Sequence, residues 1–158
     1  MALTLRSITQ QDEGFLYRVY YGTREDELSR VPWTDEQKDA FVRMQFYAQH
    51  TYYMDQYRSA SYDVVLRDEV PVGRLYVDRR ETTIRIIDIA ILPEFRNQGI
   101  GTLILNWLIA ESERTQVPIS IHVEKFNRAL AWYQRLGFCQ IEDQGVYLLM
   151  ERQPTPAP

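Results

Sequence analysis

A chain of 158 residues with 45% apolar and 25% charged side chains can bury the core of one globular domain. Its net charge of −4 argues against non-specific attachment to nucleic acid or to a membrane surface, since both call for an excess of lysine and arginine. The lone Cys139 excludes an internal disulfide. No apolar run approaches the roughly 20 residues of a bilayer span, and Met1 to Arg6 lacks the basic and apolar regions of a signal peptide. A cytoplasmic enzyme or binding domain is expected.

Leu3 to Ile8 alternates apolar and polar residues, as a half-buried strand does. Thr9 and Asp12 resemble a capping box, which predicts a helix to about Tyr21 with Gly22 as its terminator. Thr34 or Asp35 caps a second helix reaching about Tyr57. Phe41, Met44, Ala48 and Tyr52 recur on it at helical spacing and are expected in the core. Phe46, His50, Tyr53 and Tyr57 form an offset stripe that suits core, contact with a second copy in a homodimer, or the wall of a substrate cleft.

Ser61 to Arg67 reads as a strand, Asp68 to Pro71 as a turn, Val72 to Arg79 as the returning strand and Thr82 to Ile91 as a third. A helix over Gly101 to Arg114 and a strand over Pro118 to Val123 follow, which implies a parallel pairing across that helix. Asn127 to Leu136 reads as a last helix closed by Gly137, and Cys139 to Asp143 with Val146 to Glu151 as a hairpin. Residues 153–158 are proline-rich and expected to fray. The pattern predicts one α/β (α+β) domain over residues 1–152, a mixed, mostly antiparallel sheet of about seven strands with about four helices.

Chemistry concentrates between Ile86 and Leu105. A buried strand there gives way to a polar loop, Arg96-Asn97-Gln98-Gly99-Ile100-Gly101, and then to an apolar helix. Two glycines let a ligand approach the main chain, and the helix start directs unpaired N–H groups and a positive dipole end at it. That is an anion site, and phosphate is its usual occupant. There is no Gly-x-x-x-x-Gly-Lys-Ser/Thr run, and the third glycine of a dinucleotide fingerprint is missing. His50, His122 and one cysteine form no convincing metal cluster, so no metal is expected.

Arg96-x-x-Gly99-x-Gly101 resembles the Arg/Gln-x-x-Gly-x-Gly/Ala signature of the GNAT superfamily of acetyl-CoA dependent N-acetyltransferases, and Ile89 to Phe95 resembles that family's strand four. Asn127-x-Ala129-x-x-Trp132-Tyr133-x-x-Leu136-Gly137-Phe138 is similar to its second block. The two blocks occur in the family's order and spacing. The resemblance implies a GNAT-like fold whose fourth and fifth strands splay apart at a bulge. It also implies acetyl-CoA as acetyl donor, with its pyrophosphate on the main chain of Asn97, Gln98, Gly99, Ile100, Gly101 and Thr102. The pantetheine amides would pair with Ile89, Ala90 and Ile91, Arg96 would add charge, and Asn127 would bond the donor near its thiol.

The resemblance makes Tyr133 the acid for the leaving thiolate. Asp88, an acidic residue in an isoleucine run, is a candidate base, with Asp63 and Glu124 as weaker ones. Trp33, Tyr53, Tyr57 and Tyr147 are candidates for the acceptor site. The expected activity is acetyl transfer to a primary amine of a small molecule by direct attack. A protein or peptide acceptor, and a non-catalytic coenzyme A sensor, are the alternatives.

Overall fold

The computed structural model describes residues 2–158. β1, Leu3–Ser7, pairs antiparallel with β2, Ser61–Arg67, with Leu3 opposite Arg67 and Ser7 opposite Asp63. β2 passes into β3, Val70–Arg79, through Asp68 and Glu69 at φ 49° and 69°. Two consecutive left-handed residues make the tight hairpin turn that matches strand twist. This turn is shorter than the expected Asp68 to Pro71, so Pro71 falls inside β3.

β4, Ile84–Ile91, ends in a single 3-10 turn over Pro93–Phe95. α3, Ile100–Thr115, leads to β5, Ile119–Glu124, which runs parallel to β4. α4, Leu130–Arg135, and the hairpin of β6, Cys139–Asp143, with β7, Tyr147–Arg152, complete the chain. Strand order in the seven-stranded sheet is β1-β2-β3-β4-β5-β7-β6, so the sheet is mixed as expected. The β4–β5 register covers Ile84–Ile119, Arg85–Ser120 and Ile86–Ile121. Ile87 to Ile91 lie beyond that register.

The chain divides into two compact units. One runs to Leu75 and takes in Ile89–Ile100; the other comprises Tyr76–Asp88 and Gly101–Pro158. The first holds two helices, α1, Glu13–Leu28, and α2, Asp35–Gln56. Leu16, Tyr17, Tyr20, Leu28, Val42 and Phe46 form its main core, with the Phe46 ring 5.7 and 5.8 Å from those of Tyr17 and Tyr20. Val19, Ala90 and Leu92 form a smaller cluster. In the second unit Ile84, Ile86, Ile104, Leu105, Ile119, Phe138 and Met150 are almost wholly buried.

Four expectations are corrected here. Gly22 lies inside α1 rather than ending it, because the helix passes Pro93 so closely that a Cβ on Gly22 would meet the proline ring. On α2 the core stripe is Val42 and Phe46, whereas Met44 and Tyr52 are 62% and 56% exposed. Both stripes are apolar, and only the aromatic face of α1 selects between them. α4 begins at Leu130, three residues later than expected, because Asn127 to Ala129 are spent in a turn in which Asn127 Oδ1 accepts the Ala129 N–H at 2.8 Å. The proline-rich end is tied at Thr155, whose N–H donates to Glu113 Oε2 at 2.8 Å. Among the described residues no helix is long and apolar enough to cross a membrane.

Candidate active site

The β4–α3 loop is built in the first unit. Asn97 and Gly99 both hold positive φ, 60° and 81°. Left-handed residues set one apart turn successive N–H groups toward the same side, which makes an anion-binding concavity. A Cβ on Gly99 would meet nothing within 4 Å, so the loop is open there. α3 starts at Ile100, and the N–H groups of Ile100, Gly101 and Thr102 are those a helix start leaves without intrahelical partners. Backbone and helix dipole together fit a pyrophosphate.

Side chains hold this loop in place. Arg96 donates from Nε to the Ile91 carbonyl and from Nη2 to the Gly22 carbonyl, both at 3.1 Å. The resemblance gave Arg96 a role at the phosphates; its visible work is bracing the loop against β4 and α1. Gln98 donates to the Glu94 carbonyl at 3.3 Å and accepts from Arg67. Arg67 also lies over the Phe95 ring at 5.0 Å. This second guanidinium beside the loop comes from the end of β2, and no spacing in the sequence signals it.

Before the loop, Ile89, Ala90 and Ile91 lie beyond the register shared with β5, where an extended, amide-bearing ligand could pair with strand backbone. The Ile91 carbonyl already accepts from Arg96. Gly73 on β3 permits this arrangement: a Cβ there would sit 2.4 Å from the Ala90 carbonyl oxygen. The sequence reading missed Gly73, since an isolated strand glycine does not reveal which neighbour approaches it.

The second unit supplies the acid–base candidates. Tyr133 on α4 is 5% exposed, with its ring 5.6 Å from Phe138 and 5.0 Å from Trp132. Burial, and secondarily the charge of Asp88, pushes its phenol well above the usual tyrosine value. Tyr133 therefore stays protonated at neutral pH and can act as a donor. Asp88 is half-buried and close enough for its charge to be felt at Tyr133. Gly101 abuts Trp132, whose indole donates to Thr102 Oγ1 at 3.3 Å, so α4 is docked on the start of α3. Asn127 uses its side-chain carbonyl in the turn before α4, which leaves Nδ2 for another partner.

Within the first unit the expected acceptor residues Trp33 and Tyr53 lie toward opposite ends of α2. Trp33 packs on Phe41 near the start of α2, with rings 5.2 Å apart. Tyr53 and Tyr57 pair at its far end, 6.2 Å apart, and both carbonyls accept from Tyr62. Phe41 and Tyr53 are separated by about 18 Å of helix at 1.5 Å per residue. Tyr147 is half-exposed on β7, opposite Glu124. His122 is exposed and accepts at Nδ1 from Arg85 Nη1 at 3.2 Å, in a polar row with Ser120.

No sequence among curated proteins matches this one. Solved structures match along nearly the whole chain. PaiA N-acetyltransferase from Thermoplasma acidophilum, in complex with coenzyme A, superposes with a TM-score of 0.71 at 14% identity, over 97% of this chain and 99% of that one. The ribosomal-protein-S18-alanine N-acetyltransferase from Escherichia coli gives 0.66 at 18% identity, over 99% and 97%. A histone acetyltransferase HPA2 and related acetyltransferase from Corynebacterium glutamicum gives 0.67 at 22%, over 99% of each. At such identities the likeness concerns the fold. The profile of the acetyltransferase (GNAT) family matches residues 16–138, a span that contains both the β4–α3 loop and α4. This chain belongs to the acetyltransferase (GNAT) family.

Proposed function

We propose that this N-acetyltransferase moves the acetyl group of acetyl-CoA to a primary amine of a small molecule by direct attack. The observation that carries the reading is the loop in which Asn97 and Gly99 are left-handed at the open start of α3. The main chain from Asn97 to Thr102 would hold the donor's pyrophosphate, with Arg67 and Arg96 beside it. Ile89, Ala90 and Ile91 would pair with the pantetheine amides, and Asn127 Nδ2 would bond the donor near its thiol.

In the transfer, the neutral amine nitrogen attacks the thioester carbonyl, the carbon–sulfur bond breaks and the sulfur takes up a proton. Tyr133 is the group assigned to supply that proton. Its raised pKa keeps the proton in place until a thiolate forms, although it weakens the driving force for complete transfer. A charge-assisted hydrogen bond from Tyr133 to the departing sulfur stabilises the thiolate as it forms. Asp88 is assigned to take a proton from the attacking nitrogen.

The matching Escherichia coli enzyme is named for a protein target, which motivates a second reading with a peptide acceptor. Thiol release from acetyl-CoA, measured across amines and peptides, separates the two. Release with small primary amines is expected, and release with peptides alone favours the second reading. Tight binding of coenzyme A without release with any acceptor would overturn both in favour of a sensor domain.

A further inference from the structure

A cavity of about 400 Å³ opens within the first unit, between the start of α1 and the second half of α2. That volume falls in the range of small-molecule sites, about 300 to 1,000 Å³. Its inner wall is apolar, made by Leu16, Phe46 and the half-buried Ile8. Glu13 and Tyr47 are exposed at its mouth and His50 is half-buried. It contains none of the residues assigned to the donor or to acid–base chemistry, and takes Phe46 and His50 from the α2 stripe that the sequence offered as a cleft wall.

The polar groups are biased toward one kind of ligand. Glu13 carries a carboxylate, and Tyr47 donates its hydroxyl proton to Glu13 Oε1. That bond leaves Oε2 for a further donor. Arg43 also acts on Tyr47, but its guanidinium is matched by Asp39 at 3.0 Å. Phe46 and Tyr47 present adjoining rings with centroids 5.5 Å apart, and His50 stacks on Phe46. Aromatic faces next to a carboxylate attract an organic cation by two additive effects. An anion would be repelled by Glu13, and a purely apolar ligand would gain nothing from it.

We infer that this cavity binds a primary ammonium carried on an apolar or aromatic body. The ammonium sits at Glu13 and the body lies against Leu16 and Phe46. This binding site stands on the cavity alone and is independent of the acetyl-transfer reading above.

The test is titration of the intact protein with 2-phenylethylamine, without any coenzyme, followed by calorimetry and by amide NMR shifts. Saturable binding is expected, with shifts centred on Gln10, Glu13, Tyr47 and His50. The isosteric 3-phenylpropanoate should bind at least tenfold more weakly. Glu13→Gln should weaken the amine at least tenfold without changing the melting temperature by more than a few degrees. Met54→Trp, which fills the cavity from its rim, should abolish binding. Absence of saturable binding, equal affinity for 3-phenylpropanoate, or unchanged affinity in both variants overturns the inference. Failure of the acetyl-transfer reading looks different: the probe binds here as expected, yet no amine supports thiol release.

Discussion

A Cβ on Gly22 would lie 2.8 Å from Cδ of Pro93. This approach joins the middle of α1 to the turn that follows β4, and Arg96 reinforces it by donating to the Gly22 carbonyl at 3.1 Å. Replacing a helical glycine by alanine ordinarily adds about 1 kcal/mol of stability. Here the clash is with a rigid ring, and overpacking costs about 1–3 kcal/mol. Gly22→Ala should therefore destabilise, lowering the midpoint of urea unfolding. A raised midpoint would show that the α1–Pro93 approach is not tight.

The two loop glycines should behave differently. Gly99 is left-handed with open space around it, whereas Gly101 faces Trp132 at 3.3 Å. Gly99→Val should weaken coenzyme A binding at least tenfold and leave the far-ultraviolet circular dichroism unchanged, because a β-branched residue strains the loop at φ 81° and its side chain enters the space proposed for the ligand. Gly101→Ala should perturb tryptophan fluorescence through Trp132 with a smaller effect on affinity. Wild-type affinity in Gly99→Val would remove the loop from the donor site.

Tyr133→Phe should lower kcat by about 10²-fold, a common contribution of a positioned acid, while the affinity for coenzyme A is preserved. Burial raises the Tyr133 pKa above the usual tyrosine value, so its donor form persists as pH rises. The rate should then show no loss between pH 7 and 10 attributable to this group. Unchanged kcat in the phenylalanine variant would end the assignment.

Arg6 grips Asp12 through two hydrogen bonds of 2.8 Å, and the Thr9 N–H adds a third. These bonds outweigh burial and hold the Asp12 carboxyl at about 2, below its ordinary 3.8. A lowered carboxylate pKa stabilises the fold above the unfolded value, and that contribution disappears as pH falls through the folded value. Its window is therefore about pH 4 down to 2. Arg6 is 43% exposed, so solvent screening limits the contribution to about 1 kcal/mol. Asp12→Asn should destabilise at pH 7 by about that amount, with the gap closing by pH 2. An equal gap at both pH values would contradict the ion pair.

Order, type and approximate length of the elements were legible because periodicity and turn residues are local signals. Thr34 caps α2 by accepting from the Gln37 N–H at 3.1 Å, and Gly137 closes α4 with φ 96°. The loop motif was legible for the same reason. Gly22 misled because a helical glycine reads as a terminator unless its neighbour across space is known. The stripes of α2 were ambiguous because either could be buried until α1 chose Val42 and Phe46.

The sequence by itself determined the family-bearing loop, since glycine spacing, strand and helix lie consecutively in the chain and need no distant partner. Only the tertiary structure decided which side chains surround that loop. Arg67 comes from 31 residues away to bond Gln98, and Gly73 lets β3 approach Ala90. The cavity at Glu13 and Tyr47 likewise depends on two helices meeting across 34 positions. Such relations are set by how apolar faces pack, and packing selects among patterns that are equivalent along the chain.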